Sequence, residues 1–253
     1  MDLWQTLLSN EQAKQLYFFQ KDGFRIEVIQ NKDFYRLEIN GVIQSAFANT
    51  APYMPALSHC AVMLLPLLHD SRPTSVLELG GGGQSLQRYF KHAFPHIDFI
   101  SIEADKDVNL ALQSLPGFNQ LSIVQTDAFE HIKECKNNNR HFDWLIVDLF
   151  AGADAPAQTK SDSFYRDLKQ LLNPGGWLIV NCLTDDKAQL NLLRDSINNG
   201  FEISTVNPAF GVKAFAVPGQ KNHIFLLKHQ APETQTPFVF PKDIEQHNLF
   251  KSQ

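Results

Sequence analysis

A run of glycines follows an acidic residue in this sequence, and that combination is typical of nucleotide-binding turns. The segment from Val76 to Gln84 reads Val-Leu-Glu-Leu-Gly-Gly-Gly-Gly-Gln, so a predicted strand leads into four glycines and then into a predicted helix. Glycine permits positive φ angles and lets the backbone approach a ligand closely. At the carboxyl end of a first strand, such a turn forms the floor under a nucleotide-like group.

A second acidic residue lies where that ligand would need it. Glu103 follows the next predicted strand, in Ser-Ile-Glu-Ala-Asp, twenty-three residues after Gly80. In Rossmann-like sheets an acid at this place accepts hydrogen bonds from ribose hydroxyls. The pattern therefore predicts a nucleoside site at Gly80, Gly81, Gly82 and Glu103, whereas a tight turn beside a surface glutamate is the alternative without function.

The elements that must position these residues alternate along the chain. Short apolar segments, which we predict as strands, are separated by helix-length segments, and this order requires parallel strands with right-handed crossovers. The predicted fold class is α/β: a doubly wound, mostly parallel, seven-stranded Rossmann-like sheet. The predicted strands are 75–79, 99–102, 122–125, 144–148 and 177–180, with an antiparallel edge at 202–206 and 222–228. The predicted helices are 56–68, 85–93, 107–115, 129–134, 163–172 and 187–198.

The N-terminal part has a different pattern. Phe24 to Ile29 and Phe34 to Ile39 alternate apolar with polar residues and are separated by an Asn/Asp turn, which is typical of antiparallel hairpins. We predict three regions. Residues 1–55 form a helix and a small antiparallel β appendage, residues 56–230 form the ligand-binding domain, and residues 231–253 form a tail.

Composition excludes several classes of protein. Among 253 residues, 22 Lys and Arg stand against 27 Asp and Glu, a formal charge of −5, so nucleic acid is not an expected partner. No apolar stretch reaches the ~20 residues of a membrane span, and the start lacks the basic region of a signal peptide, so we predict a cytoplasmic protein without membrane contact. Three scattered cysteines and four histidines between 59 and 96 lack metal-ligand spacing, so no metal is expected.

The acid and glycines of Glu78-x-Gly80-x-Gly82 resemble the S-adenosylmethionine-binding turn of class I methyltransferase-fold proteins, over about residues 70 to 230. In that fold the third strand is followed by an acid that faces adenine, which places Asp127 and Ala128 at the adenine. A carboxylate that accepts from the exocyclic amine selects adenine, because an unpaired buried donor costs ~1 to 3 kcal/mol. Asp127 also suits the N-cap of the next helix, and the two roles are compatible.

A narrower resemblance rests on the order of several motifs. Asp143-Trp-Leu-Ile-Val-Asp148, Ser163-Phe-Tyr165 and Asn173-Pro-Gly-Gly176 follow the turn, and Leu37-Glu-Ile-Asn-Gly-Val-Ile-Gln44 and Tyr53 precede it. This order is similar to that of the spermidine synthase (polyamine aminopropyltransferase) family, over about residues 24 to 228. The family resemblance also covers the β appendage, which ordinary small-molecule methyltransferases lack.

The resemblance implies a role for each matching residue. Gln44 and the turn Gly80 to Gly82 would contact an adenosyl sulfonium co-substrate, Glu103 its ribose, and Asp127 with Ala128 its adenine. Asp148 would hold or deprotonate the attacking amine, a contribution of ~10² to 10⁴-fold for a general base. Tyr53 would line the amine pocket. The family also implies homodimers, which are possible here.

Three positions depart from the family pattern, and each loses polarity. The family usually has Gly-Gly-Gly-Asp-Gly-Gly in the turn, and the Asp, which binds the free amine, is Gly83 here. Its Tyr-His-Glu reads Tyr53, Met54 and Pro55, and its second acid after the fourth strand is absent from Leu149, Phe150 and Ala151. Asp154 is a candidate replacement. A dication in such a pocket would lose compensating charge, which is costly.

Three functional hypotheses follow from the sequence. The first is a transferase that uses decarboxylated S-adenosylmethionine, or S-adenosylmethionine itself, to transfer an aminopropyl group to a small-molecule amine. The second is a methyltransferase that uses intact S-adenosylmethionine, because loss of the acid at Gly83 removes repulsion toward its carboxylate. The third is a non-catalytic nucleoside-binding protein on an enzyme scaffold.

Overall fold

Two β-sheets form the framework of the protein in a computed structural model that describes residues 3–9, 11–69, 72–150, 155–203 and 212–229. After a short helix α1 (Leu3–Leu7), the first sheet is antiparallel with five strands in chain order. Its strands are β1 (Lys14–Lys21), β2 (Phe24–Gln30), β3 (Phe34–Ile39), β4 (Val42–Ala48) and β5 (Ala51–Pro55). The predicted small antiparallel appendage is confirmed as a five-stranded sheet.

The second sheet is mixed and has seven strands in the order β11-β12-β10-β9-β6-β7-β8. The strands β8, β7, β6, β9 and β10 are mutually parallel, and β12 and β11 continue the sheet antiparallel. They are β6 (Ser75–Leu79), β7 (Asp98–Ile102), β8 (Ile123–Val124), β9 (Phe142–Val147), β10 (Leu172–Leu183), β11 (Lys213–Ala216) and β12 (Asn222–Lys228). The α/β fold of the prediction is therefore observed.

Helices pack around the second sheet. They are α2 (Ser58–Met63), α3 (Ser85–Ala93), α4 (Lys106–Leu112), α5 (Ala128–Asn137), α6 (Asp162–Leu171) and α7 (Lys187–Gly200). Helices α3 to α6 connect the parallel strands, whereas α2 precedes β6 and α7 follows β10. The predicted helix over 56–68 is shorter than expected, because Pro66 lies in the first turn of a separate 3₁₀ segment, Leu65–Leu68. None of the helices within the described residues combines the length and apolar character that crossing a membrane requires.

Alternate residues of the second sheet fill two separate hydrophobic clusters. Leu77 and Leu145 pack with α5, α6 and α7, whereas their neighbours Val76 and Trp144 pack with α2 and α3 on the opposite face. Because both faces are covered, the central strands are apolar almost throughout, as expected for buried parallel strands.

A third hydrophobic cluster joins the first sheet to helix α4, beside the second sheet. The inner face of the first sheet contributes Ile26, Val28 and Leu37, which pack against Val108 and Leu112 of α4. Helix α4 begins three residues after Glu103, which follows β7, so the same helix that starts beside this acid also supports the first sheet. This packing holds the appendage close to the carboxyl ends of the parallel strands.

The predicted edge strand over 202–206 is wrong where the structure describes it. Glu202 has a φ of 56°, and the Ile203 N–H donates to Asn198 at 2.9 Å, so both residues end helix α7. Residues 204–206 lie outside the described ranges. The strand that pairs with the outer side of β12, at the edge of the sheet, is instead Lys213–Ala216.

Candidate active site

The carboxyl ends of β6, β7 and β9 bring the predicted glycine turn, Glu103 and Asp148 to one edge of the second sheet. The N–H groups of Gly80 and Gly81 both donate to the Ile102 carbonyl at 3.0 Å. The Asp148 N–H donates to the Leu79 carbonyl at 2.9 Å. The turn is therefore fixed to both neighbouring strands, as expected where parallel strands end together.

Two glycines of the turn have opposite surroundings. Gly80 has a φ of +86°, and a Cβ there would lie 2.3 Å from the Asp148 carbonyl oxygen. Gly82 has a φ of +46°, and nothing lies within 4 Å of its Cβ position. Gly80 thus lets the backbone pass close to β9, whereas Gly82 leaves open space for a ligand.

The Glu103 carboxylate is bound to the turn itself. It accepts from the Gly82 N–H at 3.1 Å and from the Asp105 N–H at 2.9 Å. Burial raises the pKa of Glu103, and these two backbone hydrogen bonds oppose the rise. The predicted ribose acceptor is thus held beside the open side of Gly82.

Glu78 is a buried acid beneath the turn. Only 2% of the residue is exposed, and Ser101 donates its hydroxyl to Glu78 Oε2 at 2.5 Å. Burial raises the pKa of Glu78 to about 8, with smaller contributions from the charges of Asp148 and Glu103. Glu78 is therefore largely neutral at pH 7, and its side chain joins β6 to β7 through Ser101.

Asp148 lies at the end of β9 with two polar neighbours that sequence reasoning did not assign to the site. Asn181 of β10 donates its amide to Asp148 Oδ1 at 2.7 Å. Burial raises the pKa of Asp148, and the charge of His59 and this hydrogen bond oppose the rise. Burial lowers the pKa of His59, against the opposing effect of Asp148. Asp148 and His59 are therefore close enough for the charge of each to change the pKa of the other.

His59 is further fixed by Gln220. Its Nδ1 lies 3.3 Å from Gln220 Oε1, and because an amide oxygen only accepts, this contact requires the hydrogen to be on Nδ1. Asn181 is the β10 residue bonded to Asp148. The next residue, Cys182, faces the opposite side of the sheet, because successive strand residues alternate between its two faces. Cys182 is a partly buried free thiol whose pKa burial raises.

The acidic side chains of the site lack a lysine or arginine partner within the described residues. Among the described residues, no lysine or arginine forms an ion pair with Glu78, Glu103 or Asp148. Oxygen acceptors of this kind suit a cationic ligand, because a buried cation needs compensating charge.

Asp127 is the N-cap of α5. Its carboxylate accepts from the N–H groups of Phe129 at 2.9 Å and Glu130 at 3.1 Å, and Ala128 is buried directly behind it. Asp127, Phe129 and residues of α6 line a cleft of about 880 Å³. The capping role expected of Asp127 is observed, and its proposed contact with adenine stays a prediction.

The roles predicted for Gln44 and Tyr53 stay predictions, and the structure gives each of them a different contact. Gln44 is the extra residue of a β-bulge in β4, and its amide donates to Val42 at 3.4 Å. The Tyr53 ring stacks on His92 at 3.5 Å between centroids. His92 belongs to α3, so this stacking joins β5 to the helix that follows the glycine turn.

The residue of β4 that reaches the turn is Ser45. A Cβ on Gly83 would lie 1.9 Å from Ser45 Cβ, and the Ser45 hydroxyl is 3.0 Å from that of Ser85. No side chain fits at position 83 unless Ser45 moves. The spacing of the sequence does not reveal this contact, because it joins residues 38 positions apart.

Gln84 is unusual within the turn. It is fully buried, it adopts a left-handed φ of 64°, and neither atom of its amide has a hydrogen-bond partner among the described residues. A Cβ on Gly81 would lie 2.2 Å from its Nε2. Two residues of interest from the sequence, Ala151 and Asp154, lie outside the described ranges.

Comparison with known proteins gives consistent matches. Residues 53–234 match the family model described as the spermine/spermidine synthase domain. A polyamine aminopropyltransferase of Chromobacterium violaceum is 25% identical over 180 residues, which cover 68% of this chain and 67% of that protein. The chain spans only about half the length of several other curated relatives.

Solved structures share the fold. A spermidine synthase in complex with the transition-state analogue AdoDATO has a TM-score of 0.63 at 19% identity, over 91% of this chain and 83% of that one. Human methyltransferase-like protein 13 in complex with SAH has a TM-score of 0.55 at 22% identity, over 71% of this chain and 82% of that one. The fold is therefore methyltransferase-like.

Proposed function

Because the chain belongs to the spermine/spermidine synthase domain family, we propose that it is a transferase that moves an aminopropyl group from decarboxylated S-adenosylmethionine to a small-molecule amine. The observation that carries the proposal is the convergence of the glycine turn, Glu103 and Asp148 at one edge of the sheet. The relatives named polyamine aminopropyltransferase support the same chemistry.

The nucleoside would lie over the carboxyl ends of β6, β7 and β8. The ribose would occupy the open space at Gly82. Its hydroxyls would donate hydrogen bonds to the Glu103 carboxylate, which also accepts from the Gly82 N–H. Asp127 and Ala128, at the start of α5, would meet the adenine. The sulfonium would then lie next to Asp148, because the Gly80 backbone passes close to the Asp148 carbonyl group.

The transfer is a displacement at the carbon next to sulfur. The acceptor ammonium gives a proton to the Asp148 carboxylate, and the freed nitrogen lone pair forms the new C–N bond. The C–S bond breaks, its electron pair stays on sulfur, and methylthioadenosine leaves as a neutral thioether. Asp148 would contribute ~10² to 10⁴-fold as the base, and alignment of nitrogen, carbon and sulfur would supply much of the rest.

The charge of the site favours the decarboxylated co-substrate. Its tail ends in an ammonium, which is attracted by the carboxyl groups around the turn, whereas the α-carboxylate of intact S-adenosylmethionine would be repelled. The absence of a side chain at Gly83 weakens that repulsion, so intact S-adenosylmethionine is the competitor that the test must include.

The test is isothermal titration with decarboxylated S-adenosylmethionine, S-adenosylmethionine and methylthioadenosine, followed by an amine-transfer assay. We expect binding of the decarboxylated form and of methylthioadenosine, and turnover with an amine. Asp148→Asn should lower turnover by ~10² to 10⁴-fold while methylthioadenosine still binds. Absence of binding by all three nucleosides would refute the proposal.

Other parts of the proposal concern the setting of the enzyme. We propose a cytoplasmic protein that acts without metal, membrane or nucleic acid, and that forms a homodimer. The formal charge of −5 supports the exclusion of nucleic acid. The boundaries at residues 55 and 230, and the tail 231–253, stay predictions, and the tail lies outside the described residues.

A further inference from the structure

The turn between β11 and β12 brings amide side chains to the rear of the candidate site. It is closed by hydrogen bonds from the Val217 N–H to the Asn222 carbonyl at 2.9 Å and from the Gln220 N–H to the Val217 carbonyl at 3.1 Å. The Thr184 N–H donates to the Lys221 carbonyl at 3.1 Å, just after β10 ends. The position of this turn is therefore fixed relative to the sheet edge where Asp148 lies.

A chain of two hydrogen bonds runs from this turn to the proposed base. Asn222 donates its amide to Asn181 Oδ1 at 3.0 Å, and Asn181 donates its own amide to Asp148 Oδ1 at 2.7 Å. Asn181 is buried, with 6% of the residue exposed. A carboxamide has one accepting end and one donating end, so the bond from Asn222 decides which end faces the acid.

We propose that Asn222 is a positioning residue, which through Asn181 holds a hydrogen-bond donor on Asp148 Oδ1 and leaves Oδ2 for the amine acceptor. The kinetic consequence of this inference rests on the proposed function. Its structural consequence, the orientation of the Asn181 amide, does not depend on which reaction the site performs.

Several groups act on the charge of Asp148 from the elements around it. His59 and Cys60 lie on α2, Glu78 lies on β6, and Asn181 lies on β10. Burial raises the pKa of Asp148, whereas His59 and the Asn181 donor lower it. Glu78 is largely neutral at pH 7 because burial raises its pKa to about 8. The Asn181 donor thus helps to keep the base ionised.

The decisive variant is Asn222→Asp, which has the same shape but offers only acceptors. Asn181 is then expected to rotate, to donate to the new carboxylate and to turn its oxygen toward Asp148. Loss of a donor to a charged group is expected to raise the pKa of Asp148 by roughly one unit or more. The measurement is a ¹³C NMR titration of aspartate-labelled protein without substrate, with Asp148→Asn to assign the signal.

The new charge at position 222 would raise the same pKa by simple repulsion, so a control separates the two effects. In an Asn181→Ala background there is no amide to rotate. We expect Asn222→Asp to shift the titration there by at most half as much. An equal shift in both backgrounds, or no shift in the presence of Asn181, would overturn the inference.

A second variant and a second readout complete the test. Asn222→Ala releases Asn181 without adding charge, and it should raise the pKa of Asp148 by a smaller amount; unchanged titration would contradict the inference. In the transfer assay, the acid limb of the kcat/KM profile should move to higher pH in Asn222→Asp. The size of this movement should equal the change in the pKa of Asp148 measured by NMR. If the wild-type protein transfers no aminopropyl group, the proposed function fails, but the NMR titration still decides the role of Asn222.

Discussion

The Glu78 carboxyl group shows how burial of one residue beneath the turn affects the stability of the protein. Its pKa is raised by burial to about 8, against 4.5 for an ordinary glutamate. Between these two values the folded protein holds a proton that the unfolded chain has lost. The free energy of unfolding therefore falls as pH rises through this window, by at most about 1.4 kcal/mol per unit.

Glu78→Gln removes this titration and keeps an acceptor for Ser101. We expect the variant to gain stability relative to the wild type as pH rises from 5 to 8, with little difference below pH 4.5. Urea unfolding at several pH values measures the gain. Glu11→Gln, at a side chain that is 61% exposed and paired with Lys32, is the matched control and should follow the wild type. Parallel pH profiles for Glu78→Gln and wild type would contradict the prediction.

Gln84 allows a prediction of opposite character, since replacing it should strengthen the fold. A residue with a Cβ in the left-handed conformation costs ~1 to 2 kcal/mol of stability. A buried amide without hydrogen-bond partners costs ~1 to 3 kcal/mol. Replacing Gln84 by glycine removes both costs but also removes the packing of the side chain. We expect Gln84→Gly to raise the free energy of unfolding by about 1 kcal/mol in urea denaturation.

Gln87 is the matched control, because it is equally buried but donates to the carbonyls of Phe99 and Ser122 at 2.9 Å. Gln87→Ala should lower the free energy of unfolding by about 2 kcal/mol. If both substitutions destabilise the protein equally, the unpaired amide of Gln84 is not a cost.

The residues of the site differ in how far the sequence reveals them. Glu103 and Asp148 follow apolar strands, and parallel strands place their carboxyl ends together, so their proximity is predictable. No sequence motif or spacing, by contrast, assigns Asn181, Gln220 or Asn222 to the site. The contact between His59 and Gln220 joins positions 161 apart, which no local pattern encodes.

At the scale of elements, the contact between β4 and the glycine turn connects the two sheets. Gly83→Ala would put a Cβ 1.9 Å from Ser45 Cβ, so we expect a loss of roughly 1 to 3 kcal/mol from overpacking. Ser45→Gly in the same chain should restore most of that stability, as measured by thermal unfolding of the four proteins of the cycle. Additive losses in the double variant would show that β4 does not press on the turn.

Element boundaries were predictable where a local signal was strong. Strand β6 and helix α3 have the predicted bounds, because the four glycines separate them sharply. The edge strand was misplaced because apolar residues after α7 resemble a strand, while their N–H groups complete the end of the helix. That choice depends on helix-end hydrogen bonding, which apolar periodicity does not report.

At the scale of the whole molecule, a bound nucleoside should stabilise the folded chain. At a concentration 100 times Kd, methylthioadenosine would add about 2.7 kcal/mol, which corresponds to a rise in Tm of roughly 5 to 10 °C for a protein of this size. Differential scanning fluorimetry measures the rise. The Asp148→Asn variant should show a similar rise in Tm with methylthioadenosine. Methylthioribose, which lacks the adenine, should give the wild-type protein a smaller rise. An unchanged Tm at saturating methylthioadenosine would count against the nucleoside site.

The double hydrogen bonding of the Glu103 carboxylate has a consequence for how fast the enzyme can work. Each oxygen already accepts one backbone N–H, from Gly82 or from Asp105, and each keeps a second acceptor position. Under the proposed function, the carboxylate would therefore be oriented before the sugar arrives, and the sugar hydroxyls would bind without displacing the backbone donors. Arrival of the co-substrate and departure of the spent nucleoside would then require no rearrangement of this acid.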